Sequence, residues 1–151
     1  MARNCYALSV GDKEYKLRLT LKGQKKLKER NPDISVIAAI MGAIDDPDDM
    51  DALLTEALSW EGNNNKIHSG AALYDELVDN GYCGSEDFLE IVLNIAKNAG
   101  LVTEDERAKM ERVTRKMIRS GMDALDDELQ SDEEGEESPE NPLEGLKTLD
   151  G

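Results

Sequence analysis

The chain is poor in the residues that ordinarily carry chemistry. Its 151 residues include one histidine, His68, two cysteines, one tryptophan, one phenylalanine and four tyrosines. A hydrolytic triad needs a base beside its nucleophile and a third group to orient that base. Any such site would depend on His68, and neither Cys5, Cys83 nor the serines carry an activating motif. The glycines stand singly where helices or turns should end, so no phosphate-cradling loop is built from them. Cys5 and Cys83 lack metal-ligand spacing, and the N-terminus lacks a basic-then-apolar leader, so free thiols are expected rather than a disulfide. No run of about eighteen apolar residues is present, which excludes a helical membrane span. These absences predict a cytoplasmic, non-enzymatic protein with no cofactor, no metal and no membrane partner.

Acid is abundant, and it is unevenly placed. The net charge is −15. From Asp126 onward eleven acidic residues face a single Lys147, whereas residues 1–30 hold nine Lys/Arg against three acids. Such a net charge favours solubility and opposes general attraction to nucleic acid or anionic lipid. The basic stretch could still touch phosphates. Its only nearby aromatics are Tyr6 and Tyr15, and Tyr15 falls on an inward face, which leaves base stacking little to work with. Nucleic acid is therefore disfavoured as a partner.

Order begins with a hairpin. Tyr6, Leu8 and Val10 alternate along one run, and Tyr15, Leu17, Leu19 and Leu21 along a second, opposite Glu14, Lys16, Arg18 and Thr20. Period-two alternation is what a half-buried antiparallel strand requires, and Gly11-Asp12 supplies a tight primed turn. Lys22 to Arg30 predicts a short basic helix with Leu27 inward, ended by Asn31-Pro32. Residues 34–44, ISVIAAIMGAI, are apolar nearly all round. That pattern means either a central core helix, the preferred reading, or an apolar face held for a partner.

The run DDPDDMD at 45–51 suggests a calcium loop, but the spacing refuses it. Were Asp45 the first ligand, Pro47 would fall at the third position and Met50 where glycine must make the turn. The aspartates instead suit the cap and first turn of a helix over 49–60, with Met50, Leu53, Leu54, Ala57 and Leu58 inward. A helix over 70–80 follows, capped by Ser69, with Leu73, Leu77 and Val78 inward and Asn80-Gly81 as its stop. After a turn at 83–85, a helix over 86–99 carries Phe88, Leu89, Val92, Leu93, Ile95 and Ala96. Thr103-x-x-Glu106 is a capping box opening a last helix. Its narrow seam of Met110, Val113, Met117, Ile118, Met122, Leu125 and Leu129 suits docking better than a core. From Ser131 the acidic, Pro/Gly-bearing composition predicts disorder. Leu143, Leu146 and Leu149 leave open a short docking motif in what otherwise reads as a solubilising tail.

The expected fold is α+β and mostly α: an N-terminal two-stranded hairpin packed on about five to six helices over 1–125, then a disordered acidic tail over 126–151. Expected partner contacts are Lys16, Arg18, Lys22, Lys25 and Lys26 on the hairpin and basic helix, Ile37, Ile40 and Met41 on the apolar helix, and Met110, Val113 and Met117 on the last.

The order of pieces is also familiar. A hairpin Tyr6-x-Leu8-x-Val10-Gly11-x-x-x-Tyr15-x-Leu17-Arg18-Leu19-Thr20 leads into a Lys-rich helix, followed by Ile67-x-Ser69-x-x-Ala72-x-x-Asp75-x-Leu77 and a helix ending Ala99-Gly100-Leu101. Over roughly residues 5–105 this resembles the small tail assembly chaperones of long-tailed bacteriophages and related prophages. The resemblance implies a protein that coats the long, aggregation-prone tape measure protein in the host cytoplasm, recruits tail tube subunits and is absent from the finished particle. The long acidic end departs from the pattern. Self-association is open, and two other readings compete: a structural tail or head-tail component, and a nucleic-acid-directed phage protein.

Overall fold

A computed structural model describes residues 4–63 and 67–135. The chain divides into two compact units, residues 1–112 and 113–151. In the first, β1 (Tyr6–Val10) and β2 (Lys13–Leu17) form an antiparallel hairpin with Tyr6 opposite Leu17 and Val10 opposite Lys13. Gly11 makes the turn at φ 63°, a conformation a Cβ disfavours. Leu8, Val10, Tyr15 and Leu17 are buried beneath it.

β2 stops at Leu17, earlier than the alternation suggests, because Arg18 turns its backbone N–H to the Ala57 carbonyl at 3.0 Å. Thr20 then caps α1 (Leu21–Arg30), accepting from the Gly23 N–H. The side-chain period changes there from 2 to 3.6. Leu19 stays buried, but Leu21 swings out to 66% exposure and leaves the core face assigned to it. Leu27 anchors α1 inward as expected.

The apolar run at 34–44 is a shorter element than its composition predicts. Ser35 caps α2 (Val36–Gly42), and only Ala39 and Ile40 within it are buried. α2 touches α1, α3 and α5, yet it is half-buried, with Ile34 beside it 43% exposed. α3 (Pro47–Leu58) starts two residues before the expected 49, because Asp46 accepts from the Asp48 and Asp49 N–H groups at 2.9 and 3.2 Å and Pro47 fits the first turn. All five residues of its expected stripe are buried.

α4 (Gly70–Asp79) lies against α3 at close range. The Gly70 N–H donates to Thr55 Oγ1 at 2.8 Å, and a Cβ on Gly70 would sit 2.2 Å from the Asp51 carbonyl oxygen. Leu73 and Leu77 point inward, but Val78 is 47% exposed, against expectation. One residue past Leu77 is about 100° further round the helix, off the buried stripe.

α5 (Gly84–Asn98) begins where a turn was expected, with Cys83 as its cap residue. The Cys83 N–H donates to Asp87 Oδ2 at 2.8 Å, which fixes the entry. Seven of its side chains are buried, among them Ile91, which sequence periodicity did not single out. This helix is the centre of the core, touching β1 and α2. Cys5 is half-buried and Cys83 exposed, both as free thiols.

α6 (Glu104–Gly135) opens with the expected capping box: the Thr103 N–H donates to Glu106 Oε1 at 2.8 Å, and the Glu106 N–H to Thr103 Oγ1 at 3.1 Å. Arg107 and Lys97 hold the Glu104 carboxyl down at about 2. α6 continues past residue 126, the expected start of the tail, because no proline and no glycine falls between Gly121 and Gly135. Residues 136–151, the rest of that tail, lie outside the described residues. Among the described residues no helix is long and apolar enough to cross a membrane.

Candidate partner-binding surfaces

The hairpin is fastened to the helices by polar contacts from its outer edge as well as by its apolar face. Trp60 Nε1 donates to the Lys16 carbonyl at 2.8 Å, and the Arg18 guanidinium lies over the indole, 5.6 Å from its centroid. Beneath the hairpin, fully buried Tyr15 donates its hydroxyl to Glu76 on α4, which Lys13 also reaches at 3.2 Å. Burial, then the Glu76 carboxylate, pushes the Tyr15 hydroxyl pKa up. The same hydrogen bond pulls Glu76 below the ordinary carboxylate range, with Lys13 adding to it.

These contacts sort the expected basic surface. Lys16, Lys22 and Lys25 are exposed. Arg18 is engaged by Trp60, and Lys26 approaches Glu56 at 3.9 Å. Arg30 pairs with Asp49 at 2.9 Å, and Lys28 donates to the Ile34 carbonyl at 2.6 Å. Three of the five cations of α1 thus serve to hold it against its neighbours. Among the apolar candidates, Ile40 is fully buried and is a core residue, not a contact surface. Ile37, Met41 and Met110 are half-buried. Val113 and Met117 stand 52% and 68% exposed on the second unit.

A different surface emerges where three helices meet the turn after α2. That turn, the start of α3, the first half of α4 and the start of α5 enclose a cleft of about 520 Å³. Its apolar lining includes Ile44, Met50, Ala71, Tyr74 and Phe88. Tyr74 and Phe88 stack with centroids 4.7 Å apart and planes 13° from parallel, and Tyr74 remains 38% exposed. Asp45, Asp46, Asp48, Asp51 and Asp75 also line it, with no lysine or arginine among the described residues. Asp46 is committed to its cap and Asp51 accepts from Thr55 Oγ1, while Asp45, Asp48 and Asp75 are exposed. The cleft therefore offers an apolar floor under a negative lip, suited to an apolar side chain flanked by cations. None of its residues was among the sequence candidates. No sequence signal joins them, since residues 43–51, 71–75 and 84–88 are distant along the chain. Among the described residues no three His, Cys, Asp or Glu side chains converge as a metal cage would require.

A scan against protein-family models, a search of curated proteins and a search of solved structures each return no match to this chain.

Proposed function

We propose that this chain is a phage tail assembly chaperone, a non-enzymatic protein that binds the tape measure protein, keeps it soluble and helps bring tail tube subunits to it. The observation that carries this reading is the acid-lipped apolar cleft between the helices. A helical client segment with an apolar residue and a Lys or Arg one turn away would match a floor of Tyr74 and Phe88 under Asp45, Asp48 and Asp75. The resemblance of the hairpin and basic helix supports the same role. Its recurring residues are largely scaffold in this chain, since Leu8, Val10, Tyr15, Leu17 and Leu19 are all buried.

Co-expression with the tape measure protein tests the reading. The full chain should bring it into the soluble fraction, and Ala71→Trp, which fills the cleft mouth from an exposed position, should abolish that effect while leaving the helical signal intact. An equally soluble client with Ala71→Trp would remove the cleft from the account. Mass spectrometry of purified particles separates a chaperone from a retained tail component, since only the latter persists there.

A further inference from the structure

α6 carries a charge pattern that the client reading does not use. Between Arg112 and Arg119 it holds Arg112, Arg115, Lys116 and Arg119 with no acid, and between Asp123 and Glu128 it holds Asp123, Asp126, Asp127 and Glu128 with no base. The large apolar side chains along the same helix are left open: Val113 52%, Met117 68%, Met122 56%, Leu125 46% and Leu129 54% exposed.

These two patterns share one centre. Val113, Met117, Gly121, Leu125 and Leu129 recur every fourth residue, a single inclined row on the helix surface. Reversed end for end about Gly121, the row maps onto itself, Met117 onto Leu125 and Val113 onto Leu129. Gly121 at the midpoint has nothing within 4 Å of where its Cβ would stand, so a second backbone can approach there. Along one flank of the row lie Arg112, Lys116, Ser120, Ala124 and Glu128, again four apart. A two-fold axis perpendicular to both helices brings that flank against its own reverse, setting Arg112 and Lys116 beside the partner's Glu128. Parallel pairing in register would instead set base on base and acid on acid.

We propose that α6 is an isologous dimerisation element, pairing antiparallel with α6 of a second copy of this chain about Gly121. The occupant of the exposed row is then a second copy, chosen by charge complementarity in the reversed direction. This inference stands independently of the client cleft, which lies on other elements.

Sedimentation equilibrium on the full chain tests it through a charge swap. The wild type should dimerise with concentration. Arg112→Glu with Lys116→Glu, or Glu128→Lys alone, should weaken the dimer by about tenfold or more, since about 1.4 kcal/mol is a factor of ten. The triple variant combining all three should recover the wild-type constant, because the pattern is reversed but still self-complementary. Circular dichroism on each variant confirms that α6 remains helical. A chain monomeric at all concentrations, or a triple variant as weak as the double or the single variant, overturns the proposal. So does a dimer that forms only after residues 136–151 are deleted, which would make that segment the occupant of the row.

Discussion

Tyr15→Phe isolates the polar anchor of the hairpin without altering its shape. The ring stays fully buried, so no cavity opens, and only the hydroxyl that donates to Glu76 is lost. A hydrogen bond to a charged group contributes about 1.5–3 kcal/mol. Glu76 keeps Lys13 as a partner and its side chain is 20% exposed, which places the expected cost at the lower end, about 1.5 kcal/mol. Urea denaturation followed by circular dichroism reads it. The pH dependence gives a sharper signature. Glu76 has its pKa lowered from 4.5 in the folded chain, so its contribution is present above that value and fades as pH falls through the folded one. Tyr15 has its pKa raised from 10.0, so the unfolded chain ionises first and its contribution fades as pH rises beyond that value. The gap between wild type and Tyr15→Phe should be widest near neutrality and narrow at both extremes. A difference under about 0.5 kcal/mol, or one that stays level from acid to alkali, would refute the anchor.

Two further substitutions test the helical body. Gly70→Ala would drive a methyl to 2.2 Å from the Asp51 carbonyl oxygen and 2.8 Å from the Thr55 nitrogen, both backbone atoms. A stability loss of at least about 2 kcal/mol is expected in denaturant titration, the upper part of the range for overpacking. A neutral Gly70→Ala would mean that α3 and α4 are farther apart. Thr103→Ala removes one half of the capping box and should cost about 1 kcal/mol. Hydrogen exchange should quicken at the first turn of α6, residues 104–107, and remain unchanged in α5.

Much of this architecture is legible in the sequence where one period persists. Leu8, Val10, Tyr15 and Leu17 follow strand alternation, and Met50, Leu53, Leu54, Ala57 and Leu58 follow one helical stripe opened by the Asp46 cap. Errors gather where the period changes or the stripe ends. Leu21 was misplaced because Thr20 caps a helix inside what reads as a continuing strand. Val78 reads as inward because a lone apolar residue beside Leu77 carries no sign of which way it turns. Residues 34–44 look like a core helix because composition reports apolarity but not how many neighbours will cover it. The cleft was not legible at all. Its lining comes from Ile44 in the turn after α2 and from Met50, Tyr74 and Phe88 on three helices, and only tertiary packing brings them together. Likewise, the cations of α1 look like a free binding face until Glu56 and Asp49 of α3 are seen beside Lys26 and Arg30.

The proposed role requires a client segment in the cleft between the turn after α2 and helices α3, α4 and α5. Hydrogen exchange on the complex of the full chain with the tape measure protein tests it most directly. Binding should slow exchange at residues 43–51, 71–75 and 84–88 and leave the hairpin at 6–17 unchanged. Absence of a complex, or protection confined to the hairpin and α1 while the cleft exchanges as in the free chain, would contradict it.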